Sequence, residues 1–319
     1  MKRVATVGLT FFLVLCVSTA FAQKQVRLSI ATGGTGGVYY PMGGGMANII
    51  SKHIPYAEAT AEVTSASVDN CLLVGAKKAD MAFIMADVGW DALEGKGKFK
   101  EKLPIMTLAV LYINNMHVVT LQGKGIDKVP DLKGKRVSTG SPGSGTEVKA
   151  LRVLEAYGLD PDKDMTRDRL GASESAGALK DGKIDAYFWD GGLPTASVTD
   201  LGATPGVKIK LISHADAVPK MTEKYGPLYF KGVIPAKMYP GQDQDVSIAR
   251  VSNLLICNKD MEDTVAYDIV KTLFEHKPEL VAVHRMAEEL ALEPQVDGSP
   301  LPFHPGAIKY FKEKGLNLK

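Results

Sequence analysis

Two short stretches hold the residue types most able to do chemistry. The first, "TGGTGGVYYPMGGG" from Thr32 to Gly45, surrounds Thr35, Tyr39, Tyr40 and Pro41 with glycines. The second, "GSPGSGT" from Gly140 to Thr146, sets Ser141, Ser144 and Thr146 among three glycines. Glycine this dense costs stability, so each loop is either a turn or a place where backbone approaches a ligand closely. Neither fits a nucleotide fingerprint. Counting G-x-G-x-x-G from Gly34 puts Tyr39 where the third glycine belongs, and the second loop lacks the lysine of a phosphate loop. Nor is Ser144 set as a nucleophile elbow, because Pro142 stands where the first glycine of that motif should be.

What the loops share is a run of backbone N–H groups and hydroxyls ahead of a helical pattern, where unpaired donors and the helix dipole favour an anion such as a carboxylate. For Ser144 and Thr146 ordinary helix capping, with Glu147 in the first turn, is an equally good account. "SASVDN" places Ser65, Ser67 and Asn70 at the end of a strand and the start of a helix, open to capping or to ligand hydrogen bonding. Asp87 follows the apolar run "DMAFIM" and Asp190 follows "IDAYFW"; both could cap the next helix, and both stand at strand ends, where sites form. Trp189 reads as core or ligand wall, beside Gly191, Gly192 and Pro194. The six histidines show no closely spaced pair, which argues against structural zinc or a metalloprotease. No cofactor is expected.

The elements that must position these residues alternate. "VRLSIAT" is a strand running into the first loop, and Pro41 opens a helix with Met42, Met46, Ile49 and Ile50 on one face. "AEVTSA" follows as a strand, "VDNCLLVGAKK" as a helix, "DMAFIMA" as a strand buried on both faces, and "VGWDALEG" as a helix. "IMTLAVLYI" and "HVVTL" read as two further strands. The same grammar restarts at "RVSTGSPGSGTEVKALRVLEAYG", with Gly158 as the helix stop. Gly33 and Gly140 stand 107 positions apart (33 to 140), and Asp80 and Asp185 stand 105 apart (80 to 185). The echo predicts two similar α/β lobes with mainly parallel sheets. We assign 23–113 and 209–319 to the first lobe and 114–208 to the second, with the return crossing somewhere between 207 and 257. "EHKPELVAVHRMAEEL" reads as one amphipathic surface helix.

Lys2 and Arg3, a short apolar run and Ala20-Phe21-Ala22 make residues 1–22 a secretory signal peptide, with cleavage after Ala22. Loss of Lys2 and Arg3 lowers the 38 basic residues to 36, equal to the 36 acidic ones. A neutral chain gives no reason to expect nucleic acid or an anionic membrane surface as partner. Cys71 and Cys257 remain after cleavage; two buried thiols are expected, with pairing as the alternative in an oxidising compartment.

Taken in order, "LSIATGGTGGVYYPMGGGMANIISKH", "SASVDNCLLVGAKKADMAFIMADVGWDALEG", "DLKGKRVSTGSPGSGTE" and "DAYFWDGGLPTASVTDL" resemble the TAXI family of solute-binding proteins. These are receptors of tripartite ATP-independent periplasmic (TRAP) transporters. The resemblance spans the mature chain. It implies a type II periplasmic binding protein fold, two α/β lobes closing over a small solute and delivering it to a membrane permease driven by an ion gradient. It implies a monomer in the periplasm and not an enzyme, with glutamate, glutamine or a dicarboxylate such as 2-oxoglutarate as solute. The ligand residues it implies are Gly34, Thr35, Gly36, Gly37 and Tyr39; Ser67 and Asn70; Asp87, as partner for a ligand amino group; Ser144, Gly145 and Thr146; and Trp189, Gly191 and Pro194. The family commonly has Gly-Ser ahead of the position of Val68, where this chain has Ala66-Ser67, and some relatives have Gln at the position of Ala86. A sensor feeding a membrane signalling kinase is the second reading, and a secreted hydrolase using Ser144 the third.

Overall fold

The computed structural model describes residues 25–318. The expected signal peptide and cleavage after Ala22 lie outside the described residues. The first half of the chain builds β1 (Val26–Ala31), α1 (Tyr39–His53), β2 (Ala57–Glu62), α2 (Ser67–Gly75), β3 (Met81–Met85), α3 (Ala86–Glu94) and the long β4 (Ile105–Leu121). There follow β5 (Arg136–Ser138), α4 (Gly145–Ala156), β6 (Thr166–Asp168), α5 (Ala172–Lys180), β7 (Ala186–Gly191), α6 (Ala196–Ala203) and β8 (Ile209–Leu211). The chain closes with α7 (Val218–Tyr225), β9 (Phe230–Ile234), β10 (Val246–Asn258), α8 (Asp263–Glu275), α9 (Lys277–Val283) and α10 (Pro305–Glu313).

All ten strands belong to one hydrogen-bonded system, ordered β2-β1-β3-β10-β4-β7-β5-β6, with β8 beside β4 and β9 beside β10. Parallel strands β1, β2 and β3 form one end, and parallel β5, β6 and β7 the other. The two expected strands "IMTLAVLYI" and "HVVTL" are one: β4 runs unbroken for 17 residues because its first part pairs with β10 and its last part with β7 and β8. β10 does the same in reverse, pairing β9 from Val246 to Arg250 and β3 from Asn253 to Cys257. These two antiparallel strands are the crossings between the lobes. Strands β8 and β9 pair with the halves of β4 and β10 that lie beyond Asn115 and before Ser252. Strand β10 overlaps the 207–257 window expected for the return crossing.

The echo in the sequence has a shared physical basis. In the first lobe, Asp80 Oδ2 accepts the Ser29 backbone N–H at 2.8 Å; in the second, Asp185 Oδ2 accepts that of Arg136 at 3.0 Å. Each aspartate, just ahead of the third strand of its lobe, ties that strand to the first. Arg136 also pairs with Asp185 through Nη2 at 2.7 Å, and this holds the Asp185 carboxyl well below the usual carboxylate range.

Local chemistry explains most boundaries. Pro41 sits in the first turn of α1, where an absent N–H costs nothing. Helix α4 ends at Ala156, and Gly158 takes the left-handed conformation (φ 74°) needed to turn the chain back. β3 is buried at every position, as an interior strand with both faces covered must be. The expected single helix over "EHKPELVAVHRMAEEL" is broken in two places. His276 separates α8 from α9, and His284 is extended, its Nδ1 accepting the Met286 N–H, so residues 285–289 form only a short 3-10 turn. Met286 is thereby buried under Gly192 instead of continuing an exposed face. Cys71 and Cys257 are both free and buried, and burial pushes both thiols up, away from the reactive thiolate.

Candidate functional site

A cavity of about 260 Å³ lies between the lobes. Its walls are the loop before α1 from Gly33 to Val38, the start of α2 with Thr64, Ser65 and Ala66, the loop Gly140–Ser144 before α4, the start of α5, and the end of β7 with Trp189, Asp190 and Gly191; Met85 and Tyr112 also contribute. Four helices therefore point their N-termini at one space. In each, both the capping residue and the first helical residue line it: Val38 and Tyr39, Ala66 and Ser67, Ser144 and Gly145, Gly171 and Ala172. The first-turn N–H groups of a helix have no acceptor within it, and its N-terminus carries roughly half a positive charge. None of the lining residues is Lys, Arg or His; Glu174 and Asp190 are the charged ones.

Of the residues expected to hold a solute, Gly34, Thr35, Gly36, Gly37, Tyr39, Ser67, Ser144, Gly145, Thr146, Trp189 and Gly191 meet at this cavity. Asn70, Asp87 and Pro194 do not. Asn70 is fully buried and spent internally: its Nδ2 donates to the carbonyls of Thr32 and Phe83, both at 2.7 Å, and its Oδ1 accepts from Thr64 Oγ1 at 2.7 Å. Asp87 is also fully buried. Its Oδ2 accepts from Tyr229 Oη at 2.7 Å and faces Arg152 Nη1 at 3.4 Å, and its Oδ1 takes the Val88 N–H. Arg152 of α4 also pairs with Asp91 of α3, and its guanidinium lies 4.2 Å from the centre of the Tyr225 ring. Asp87 is thus one carboxylate of an ion cluster with Arg152 and Asp91 that links α3 to α4, outside the cavity lining. Pro194 lies beyond the cavity wall, which ends at Gly191.

Hydroxyls at the site do double duty. Ser144 Oγ accepts the Glu147 N–H at 3.0 Å and donates to the Ser141 carbonyl at 2.7 Å, so it caps α4 while lining the cavity. Ser67 Oγ accepts the Met85 N–H at 3.1 Å, which leaves its proton for another acceptor. Thr146 Oγ1 accepts the Asp190 N–H at 3.2 Å, and Tyr39 Oη donates to Asn253. Ala66, ahead of α2, is held at φ 80° and ψ −145°, a conformation natural to glycine.

The loop glycines divide by what occupies the space of their missing side chains. A Cβ on Gly36 would meet Ser173 of α5 at 2.0 Å, and one on Gly37 would meet Trp189 of β7 at 2.8 Å. From the opposite lobe, Gly143 faces Asp69 at 2.5 Å, and Gly145 faces Met85 and Ser67 at 2.4 and 2.7 Å. The Gly143 carbonyl accepts the N–H groups of Val68 and Asp69 at 3.0 and 3.3 Å. These four glycines let the lobes touch. Gly34, with nothing within 4 Å, is the one in its loop open to the cavity.

Two contributors escaped the sequence reading, and a third was not among the expected solute-holding residues. Asp190 was noted there, but the start of α5 (Ala172, Ser173, Glu174) and Tyr112 were not. Asp190 is buried, with Lys149 Nζ at 2.9 Å from Oδ2, yet its Oδ1 has no partner; burial raises its carboxyl to about 6. Tyr112 Oη is likewise buried without a partner. A signal for α5 was present: α2 and α5 follow the second strand of their respective lobes, and the 107-residue offset carries Ser67 onto Glu174.

Residues 30–315 match the model of the NMT1-like family, and the chain belongs to that family. Among solved structures it resembles an ancestral arginine-binding protein bound to arginine (13% identity, 84% of this chain and 99% of that one, TM-score 0.51). It also resembles a protein assigned as an L-cystine ABC transporter in Listeria monocytogenes (18% identity, 83% and 95%, TM-score 0.50) and one from Bordetella bronchiseptica RB50 (17%, 90% and 80%, 0.51). At these identities the likeness is one of fold: an α/β type II periplasmic binding protein. No helix among the described residues is long and apolar enough to cross a membrane.

Proposed function

We propose that this member of the NMT1-like family is an extracytoplasmic receptor that binds a small carboxylate and hands it to a TRAP permease. The observation that carries the reading is the convergence of four helix N-termini on a cation-free cavity between two lobes. A carboxylate needs either a side-chain cation or oriented N–H dipoles, and this cavity offers only dipoles and hydroxyls. Its 260 Å³ falls below the ~300–1,000 Å³ of sites for drug-sized ligands, which suits a solute of amino-acid or dicarboxylate size. The acidic pair Glu174 and Asp190, the latter with an unpartnered oxygen, favours a solute that also carries an amino group, placing glutamate or glutamine ahead of 2-oxoglutarate. The four quoted motifs supply the TRAP assignment.

Hydrolysis is disfavoured by the state of Ser144: its hydroxyl is engaged at both ends, and no histidine lines the cavity to act as base. A thermal-shift screen of amino acids and C4 to C6 acids tests the proposal. A ligand that binds only the folded chain raises Tm with concentration. Silence from every acid and amide would sink it. The kinase-sensor reading is separated by whether purified TRAP permease subunits bind the loaded protein.

A further inference from the structure

The C-terminal end of α1 brings His53 against His276, the one-residue link between α8 and α9, and Glu279 in the first turn of α9, more than 220 positions along the chain. Glu279 Oε1 lies 2.8 Å from His53 Nε2 and 3.3 Å from His276 Nδ1. All three atoms lie within 4.8 Å of one another. The two imidazoles are stacked, with centroids 3.5 Å apart and planes at 11°, so the rings must tilt out of the stack for their in-plane lone pairs to meet at one ion. The second Glu279 oxygen is held by Lys52 Nζ at 2.9 Å. In tetrahedral zinc sites, bonds of about 2.0–2.1 Å separate neighbouring ligand atoms by roughly 3.3 Å. The two measured separations sit close to that edge length before any ion enters.

We propose that His53, His276 and Glu279 form a divalent-metal site of the zinc class, away from the solute cavity. Two imidazole nitrogens and one carboxylate oxygen are the donor set that zinc, nickel and copper prefer over magnesium or calcium. Three protein donors leave one position for water. All three side chains are partly exposed, at 22, 34 and 36%, so an ion can enter without unfolding the chain. On binding, any ring proton facing Glu279 moves to the other nitrogen of its imidazole or is released to solvent, which leaves a lone pair for the metal, and the carboxylate becomes a ligand. Lys52 keeps Oε2 and opposes the incoming cation, which sets the affinity below that of a closed structural site. The bound ion ties the far end of α1 to the α8–α9 junction.

The test is zinc titration of the mature chain, free of any histidine tag, by calorimetry and by competition with a chromogenic chelator. One equivalent should bind, and a hundredfold excess over Kd should raise Tm by about 5 °C. His276→Ala should weaken binding at least about tenfold, since loss of even an outer-shell partner costs that much. Glu279→Gln, which keeps the shape of the side chain, should weaken it as well. Lys52→Ala should tighten binding by removing the competing ammonium. Equal zinc affinity in wild type and His276→Ala, or weaker binding in Lys52→Ala, would overturn the assignment.

Discussion

Replacing Gly37 by alanine adds one methyl group at a place where only the closed lobes have something for it to strike. That methyl would sit 2.8 Å from Trp189 Cη2 and 3.0 Å from Cζ2. The ring cannot swing aside easily, because its Nε1 donates to Thr195 Oγ1 at 2.9 Å and the same Nε1–Cζ2 edge fills the space beside Gly191. The Gly37 backbone is not in the left-handed region, so alanine adds no torsional strain of its own. Overpacking by a methyl group in a rigid setting costs about 1–3 kcal/mol. Here the cost falls on the closed arrangement alone, so solute affinity should drop by about 5- to 150-fold while the open protein keeps its melting temperature. Calorimetry with the best ligand of the thermal screen reads the affinity, and small-angle scattering of the loaded protein reads the lobe separation. Gly44→Ala on α1 is the internal control, since its methyl would meet nothing within 4 Å and Gly44 lies outside the cavity lining. Unchanged affinity in Gly37→Ala would refute the reasoning, and so would an equal loss of stability without ligand, because the closed form would then be the resting state.

Other consequences are open to direct measurement. Ala66→Gly should raise Tm by about 2–4 °C: relief of roughly 1–3 kcal/mol of backbone strain exceeds the ~0.4–1 kcal/mol that glycine adds to unfolded-chain freedom. A fall in Tm would show that the Ala66 methyl packs better than its torsion costs. Arg152→Met leaves Asp87 buried without its cation and should cost about 3–5 kcal/mol in urea melts; Asp87→Asn added to it should recover part of that loss, and strict additivity would argue against the cluster. Burial holds His117 down to about 3 and His214 to about 4, against about 6.5 unfolded, so their stabilisation is complete above pH 6.5 and is lost as pH falls toward 4. Each histidine contributes a slope of about 1.4 kcal/mol per pH unit in that window. Asp190, raised by burial to about 6, works the other way, gaining stability as pH drops through 6. Net stability should therefore still fall on acidification, and Asp190→Asn should steepen the fall; a flatter curve in that variant would contradict the sign.

The strand–loop–helix grammar and the doubling of the lobes were legible because glycine, proline and apolar spacing act locally. The unbroken length of β4 was not, since the polar pair Asn114-Asn115 looks like a break and is in fact the place where one strand passes from the partners of one lobe to those of the other. The dense glycines read as either a turn or a close approach to a ligand, and nothing in their spacing tells that at Gly36, Gly37, Gly143 and Gly145 the opposite lobe does the approaching. Asp87 and Asp190 are equivalent in sequence, each following an apolar strand. Only the reach of Arg152 across the cleft and of Lys149 beneath it tells them apart. His53 and His276 were invisible as a pair for the same reason: their contact depends on how α1 lies against the end of α8.

The central place of β10 fixes an order of assembly. The second lobe is nearly contiguous in the chain and can form as soon as it is synthesised. The first lobe cannot, because β3 is complete at Met85 while β10, which must lie between it and β4, begins only at Val246. Throughout the interval one edge of β3 has no partner, and an unpaired apolar edge is a template for aggregation. The nascent polypeptide therefore needs shielding until its last quarter arrives, and truncation anywhere before Asn258 should yield insoluble material instead of a folded lobe.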